Sequence, residues 1–541
     1  MTQSLAHSAN SKHVLVLTTG PLPFDSINKV YAMALRGWLL ARNLLEAGHA
    51  VTLVNIQILT GEPSSPYNQF EQTASRPLDV EKSPELAAWF GDCPVQKLLY
   101  YVIAHEKLIG TTLLDQICRR LKPDCIVSVG NYASFVGTSL TAPVPFWADL
   151  CGSNMAEGQA KAYTYNDNNY LEHFRQMELA VLKRADRFSA VSRAQMFALV
   201  GELGLLGRLN RQTYGHDLVS SVPVAFDPAP VKPAGNRVIV RGRLCPEDAF
   251  ILLWSGGFNT WTDTETLFEG VKAAMERSSQ LHMVVTGGGI VGHDEVSFPA
   301  FQARVNASPY RERFHFVGWV PTADLPVYYR ESNLAILLDR WSYEGLLGSR
   351  SRILEWARYA LPCVMTVTSE LLQELNDAKA LLTFDHESPD QLANLLVGLV
   401  EDATNRERLR QLGLRLQETA AGLYRSEKVY RPILNWVRNP LPAPDAMELN
   451  VNNQLATTAQ LDEHLKNVFS GTAAESELVR LKVWAKQAQT ELAARDFQIN
   501  RLQKQLQRQK MEHEKLSDWS LSLEQQLLLH SASSKKKKGL F

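Results

Sequence analysis

Residues 335–364 read AILLDRWSYEGLLGSRSRILEWARYALPCV, and the order of elements in that stretch fixes the architecture. An apolar strand, Leu334 to Leu338, runs into an acidic, glycine-containing loop carrying Glu344-Gly345 and then Gly348-Ser349-Arg350-Ser351-Arg352. A helix follows with Glu355 on its first turns, and Leu361-Pro362-Cys363-Val364 opens the next strand. Unpaired backbone N–H groups and the positive end of the helix dipole meet where a strand and a glycine-rich loop lead into a helix, and such a junction cradles an anion. Two arginines suit phosphate and two carboxylates suit hydroxyls, so the segment has groups for both halves of a nucleotide sugar.

The alternation of strand and helix extends in both directions from this stretch. On the amino-terminal side, HVLVLTTG (13–20), AVTLVNI (50–56), DCIVSVG ending at Gly130, PVPFWADL ending at Leu150 and RFSAVS ending at Ser192 read as buried strands. A helix is expected from about Asn28 to Ala47, closed by Gly48-His49, and helical material from Val95 to Leu121. A second block has strands expected at 251–257, 281–289, 314–320, 334–339, 363–367 and 380–384. The fold class is therefore α/β: two Rossmann-like, doubly wound parallel sheets facing a cleft, plus a C-terminal helical coiled coil. The segments are a disordered 1–12, a first domain 13–226, a proline-rich linker 227–246, a second domain 247–438, a polar tether 439–474, a coiled coil 475–530 and a polybasic tail 531–541.

In the coiled-coil segment, Leu478, Ala485, Leu492, Ile499, Leu506 and Leu527 fall at a, and Leu481, Ala488, Leu502, Leu516 and Leu523 at d. Arg495, Gln509, His513 and Ser520 interrupt the seam, so a long solvated helix stays open as the alternative. A true coiled coil implies self-association or docking to a partner enzyme. The ending SASSKKKKGLF is read either as a peripheral contact with anionic lipid or as a solvated tail.

The bulk numbers exclude other classes. At 541 residues the chain exceeds a single core, and 45% hydrophobic content is ordinary for a globular protein. A formal net charge of −1 leaves no case for nucleic acid as the main partner. Six scattered cysteines, without a C-x-x-C pair or clustered histidines, fit reduced thiols and carry no zinc signature. The N-terminus does not read as a signal peptide, and no run of about 18 apolar residues exists to span a membrane. The expected location is cytoplasmic.

With these residues in place, the second block resembles the donor-binding half of retaining glycosyltransferases with the two-Rossmann GT-B fold, of the family 4 or group 1 type. Glu355 stands seven residues before Pro362-Cys363-Val364, as the second glutamate of the family motif does, and Glu344-Gly345 follows the strand as the first does. Ten residues separate the two glutamates here, about three more than is usual in the family. The resemblance implies that Glu355 binds ribose hydroxyls and Glu344 holds the donor sugar near its reacting carbon. The family often has an Arg and a Lys after the first strand of this domain; here Gly256-Gly257-Phe258-Asn259 lacks a cation, which leaves Arg350 and Arg352 to take the diphosphate.

Gly256, Gly257 and Asn259 are candidates for close approach to the phosphates, and Gly345, Gly348 and Ser349 belong to the same cradle. Gly287 and Gly288 either line the donor pocket or simply turn the chain after a strand. Trp319 either edges the base pocket or is a buried core aromatic. Asp149 is read either as a carboxylate projecting into the cleft or as a turn residue capping the next segment, and Arg36 as a surface residue. The first block lacks the Gly-Gly-x-Glu pattern common in the family.

The resemblance thus implies a metal-independent, retaining hexosyltransferase with no cofactor, using a UDP- or GDP-linked sugar and a glycan or lipid-linked acceptor in cell-surface polysaccharide synthesis. Two rival readings are a nucleotide-sugar 2-epimerase and a non-catalytic scaffold of a glycan-assembly complex.

Overall fold

The structure, a computed structural model, describes residues 11–20, 22, 32–57, 93–94, 97–104, 108, 113–227, 237–290, 293–402, 404–446 and 510. The chain divides into two units, 1–449 and 450–541. Apart from Lys510, the expected coiled coil lies outside the described residues, as does the lysine tail.

The first unit contains two parallel sheets. The first has seven strands: β1 (His13–Gly20), β2 (Ala50–Gln57), β3 (Leu98–Ala104), β4 (Cys125–Val129), β5 (Phe146–Leu150), β6 (Arg187–Ala190) and β7 (Val219–Ser221). Their spatial order is β3-β2-β1-β4-β5-β6-β7. The second has six: β8 (Phe250–Ser255), β9 (Leu281–Thr286), β10 (Phe314–Gly318), β11 (Leu334–Leu337), β12 (Cys363–Met365) and β13 (Leu382–Thr383), in the order β10-β9-β8-β11-β12-β13. Every residue of β4, β5, β8 and β9 is buried, as expected for parallel strands covered by helices on both faces. The order reverses between β1 and β4 and again between β8 and β11. Ligands of open α/β sheets bind beyond the carboxyl ends of the strands at such a switch point.

Local chemistry places the helices that reach the cleft. Ser153 caps helix Asn154–Tyr165 by accepting from the Ala156 amide, and Ser192 caps helix Arg193–Leu205 by accepting from Gln195. Asp263 does the same for helix Thr264–Arg277 through the Thr266 amide.

Three features differ from the sequence-based expectation. Helical material was expected from Val95 to Leu121, but LLYYVIA forms strand β3, in register with β2 from Val51–Leu98 to Gln57–Ala104. Its aromatic and branched residues suit a pleated surface, and among the described residues of this stretch a helix runs over Leu113–Leu121. Glu344-Gly345 lies on a single helical turn, Tyr343–Leu347, because Ser342 accepts from the Gly345 amide and caps it. Several strands are also shorter than expected, β13 being reduced to Leu382–Thr383.

The chain then crosses back from the second sheet to the first. The Phe226 amide donates to the Tyr424 carbonyl at 2.6 Å, and the Tyr430 hydroxyl to the Arg36 carbonyl at 3.1 Å. Trp436 packs edge-on against Trp147 at 5.5 Å, and buried Arg208 forms a two-pronged pair with Asp445.

Candidate active site

The carboxyl ends of β8 and β9 carry Gly256-Gly257 and Gly287-Gly288, and at Gly287 backbone passes close to backbone. Gly256, Gly287 and Gly318 all have positive φ. A Cβ on Gly287 would sit 2.3 Å from the Gly256 carbonyl oxygen, and one on Gly257 would sit 2.4 Å from Ile290 and 3.5 Å from Trp319. Trp319 is half-buried just past the end of β10, beside this crossing rather than within the strand. The Phe258 amide bonds the Gly288 carbonyl, and Asn259 is held in a turn by Thr262. The signal expected from Gly256, Gly257, Gly287 and Gly288 therefore converges on one place.

Across the switch point, the end of β11 supplies a buried ionic triad. Arg350 donates through Nη1 and Nη2 to the two oxygens of Glu344, at 3.1 and 2.7 Å, and through Nε to Asp339. All three side chains are buried, and the guanidinium also lies over Trp261 at 5.4 Å. One cation between two carboxylates leaves a net negative charge. Burial accordingly pushes the Glu344 carboxyl up to about 7, against the opposing pull of Arg350. Gly348 allows the compact turn: a Cβ there would meet the Glu344 carbonyl at 2.6 Å, while one on Gly345 would press on Thr368 at 3.0 Å. The expectation that Arg350 stands ready for a diphosphate is corrected by this geometry, since its donors are already committed to Asp339 and Glu344.

Arg352 is placed differently. Its guanidinium lies over Trp254 at 5.2 Å, Nη2 donates to the Gly257 carbonyl at 2.7 Å, and a Cβ on Gly256 would touch Nε at 3.2 Å. Nη1 is buried, and no described residue accepts from it. Burial lowers this guanidinium to about 10, against the opposing pull of the Asp339 carboxylate. The Ser349 and Thr368 hydroxyls, from neighbouring loops at the same sheet edge, are likewise buried without partners among the described residues. Glu355, one turn further on, is about one-third exposed and paired with Arg358 at 3.0 Å.

In the first half, Asp149 is fully buried and does not project into the cleft. Arg36 grips it through Nε at 2.6 Å and Nη2 at 2.8 Å, and Ser189 donates a third bond. The same guanidinium binds the carbonyls of Pro223 and Val222. Arg36, expected on the surface, is 3% exposed. Asp149 therefore joins β5 to helix Ala32–Glu46 and the start of the linker. It offers neither a free carboxylate nor the turn cap read as its alternative.

The residues that do face the second half come from helix Asn154–Tyr165 and from the start of helix Arg193–Leu205. Glu157 pairs with His293 at 3.5 Å, and its charge contributes to the raised Glu344 value. Thr164 donates to the Thr260 carbonyl, and the Tyr165 hydroxyl accepts from the Glu295 amide. Ser192 reaches the Leu347 carbonyl, and Glu370 accepts from the Arg193 amide. Tyr163, Trp341 and Tyr343 are exposed at this edge, with Arg340 5.9 Å from the Tyr163 ring centre. Sequence reading missed Asp339, Glu157 and these aromatics. Only Asp339, the acid closing an apolar strand, left a local signal.

Comparison with known proteins follows the same lines. Residues 249–402 match the family model described as Glycosyl transferases group 1. That segment is thus similar to a group 1 glycosyl transferase domain, and the chain around it has the GT-B fold. The mannosylfructose-phosphate synthase of Agrobacterium fabrum is 24% identical over 230 residues, 42% of this chain and 47% of that protein. The chain thus spans about half the length of this curated relative. Among solved structures, sucrose-phosphate synthase from Thermosynechococcus elongatus superposes with a TM-score of 0.55 at 16% identity, covering 79% of this chain and 98% of that one. Anabaena HepE in complex with UDP-glucose gives 0.51 at 13%, covering 78% and 98%. At these identities the structural likeness establishes the fold. No helix among the described residues is long and apolar enough to cross a membrane.

Proposed function

We propose that the protein transfers a hexosyl group from a UDP- or GDP-linked sugar, bound at the carboxyl edge of the second sheet, to an acceptor held by the first. The single observation that carries this reading is Arg352: a half-buried cation whose buried Nη1 has no acceptor among the described residues, beside the backbone of Gly256 and Gly257, inside the segment that matches the group 1 family model. A diphosphate there gains a charge-assisted bond, and the same group stabilises the departing nucleoside diphosphate as the glycosidic bond breaks. No metal ion is assigned to the transfer step.

Glu355 binds the ribose hydroxyls once it releases Arg358, and Glu344, held by Arg350, positions the donor sugar. On the first half, Glu157 takes the place that sequence reading gave to Asp149, because its carboxylate faces the second half and pairs there with His293. The exposed rings of Tyr163, Trp341 and Tyr343 support a glycan or lipid-linked acceptor, since aromatic faces pack on sugar rings while their polar edges stay wet. Retention of configuration, a cytoplasmic setting, a role in cell-surface polysaccharide synthesis and oligomerisation through the C-terminal heptads complete the reading. Glucose as the sugar is supported by HepE, which was solved with UDP-glucose.

The test is thermal unfolding against UDP, GDP, ADP and CMP, with wild type beside Arg352→Ala. One nucleotide at 100 times its Kd stabilises the wild type by about 2.7 kcal/mol, and the variant loses the effect. The absence of stabilisation by every nucleotide overturns the donor site. Proton NMR of the first-formed product then reports the anomeric outcome.

A further inference from the structure

Cys245, His282 and His315 lie far apart in sequence, and no spacing among them resembles a zinc motif. The fold nevertheless brings one ligand atom from each to within 4.8 Å of the others. His282 is the second residue of β9 and His315 the second of β10, so both sit at the amino-terminal edge of the second sheet, opposite the end that carries Gly256 and Arg352. Their rings stack with centres 5.3 Å apart, and His282 Nδ1 is 3.0 Å from His315 Nε2. Cys245, buried, closes a turn in which its amide bonds the Val240 carbonyl, at the point where the proline-rich linker meets β8.

We propose that these three residues form a binding site for a divalent transition metal ion of the zinc type. A thiolate with two imidazoles is a borderline-soft donor set, which selects zinc-like ions over magnesium or calcium. Tetrahedral zinc places its N and S ligands roughly 3.3–3.6 Å apart. The two nitrogens, 3.0 Å apart, would therefore open by a few tenths of an ångström, and the sulfur, within 4.8 Å of its partners, would settle into that range.

Binding breaks the S–H bond of Cys245 and forms an S–metal bond, releasing one proton. The N–H shared between the rings moves through solvent to the far nitrogen of its own imidazole, so that both rings present a lone pair. Three protein ligands leave the fourth position for water or for exposed Asp248, whose charge already acts on His282. The nearby cations are engaged elsewhere: Arg313 with the Ser278 and Met275 carbonyls, Arg241 with those of Glu247 and Ala249. Occupancy would pin the end of the linker to β9 and β10.

The experiment adds Co²⁺ to the metal-free full-length protein and follows visible absorption, then displaces it with Zn²⁺. The expected result is one equivalent bound, with tetrahedral ligand-field bands and a thiolate-to-cobalt charge-transfer band. Cys245→Ser should lose the charge-transfer band, and His315→Ala should bind at least tenfold more weakly. No bands in the wild type, or spectra and affinity unchanged in both variants, overturns the proposal. Should either variant fail to fold, proton release by the wild type decides: one proton per metal ion supports the site, and none overturns it.

Discussion

Arg36 and Asp149 hold each other through two hydrogen bonds, 2.6 and 2.8 Å long, where neither side chain meets water. Breaking such a pair from one side strands a buried charge, a cost of about 3–5 kcal/mol, whereas replacing both partners with apolar groups often costs little. Asp149→Ala should therefore lower the denaturant midpoint sharply, and Arg36→Met/Asp149→Leu should recover most of the loss. Equal destabilisation by the single and double variants would contradict a structural role for the pair.

Arg352→Ala removes the cation beside Gly256. One charge-assisted hydrogen bond is worth about 1.5–3 kcal/mol, so the Kd of the stabilising nucleotide should rise roughly 10- to 100-fold by calorimetry. The Cys245 region lies at the other edge of the sheet, and its metal response should not change.

Glu344 has a folded-state pKa raised from 4.5 to about 7. Between those values the folded protein binds more protons than the unfolded one, so this group's contribution to stability falls as pH rises through the window. Glu344→Gln abolishes that titration. Its melting temperature should decline less between pH 5 and pH 7 than that of the wild type, as differential scanning calorimetry would show.

Gly287→Ala tests the backbone crossing. With φ at +103° and a Cβ only 2.3 Å from the Gly256 oxygen, the substitution combines strain with a clash that no side-chain rotation relieves. A loss of about 3 kcal/mol is expected from urea unfolding.

Glu157→Gln leaves the shape of helix Asn154–Tyr165 intact but removes its charge from the cleft. Turnover should drop on the order of 100-fold, with nucleotide affinity unchanged. A matched loss of nucleotide affinity would place Glu157 in donor binding instead.

The alternation of apolar runs and amphipathic helices made the two sheets legible, because strands buried on both faces leave continuous hydrophobic segments such as 251–254. Strand β3 was misread because LLYYVIA follows Pro94-Val95-Gln96-Lys97, with nothing local to separate a short edge strand from a helix start. The glycine crossing was visible as residue types. The partition of the two arginines was not: Arg350 and Arg352 differ by two positions, and only the fold turns one toward Asp339 and the other toward Trp254. For the same reason the burial of Asp149 was hidden, since its partner stands 113 residues away.

The return of residues 424–445 to the first sheet means that two separate stretches of chain join the halves, one on each passage. A single tether would let the halves swing through any angle. Two of them resist both separation and twist. The Phe226–Tyr424 hydrogen bond and the Trp147–Trp436 ring contact hold the second passage against the first half, so the two passages brace each other.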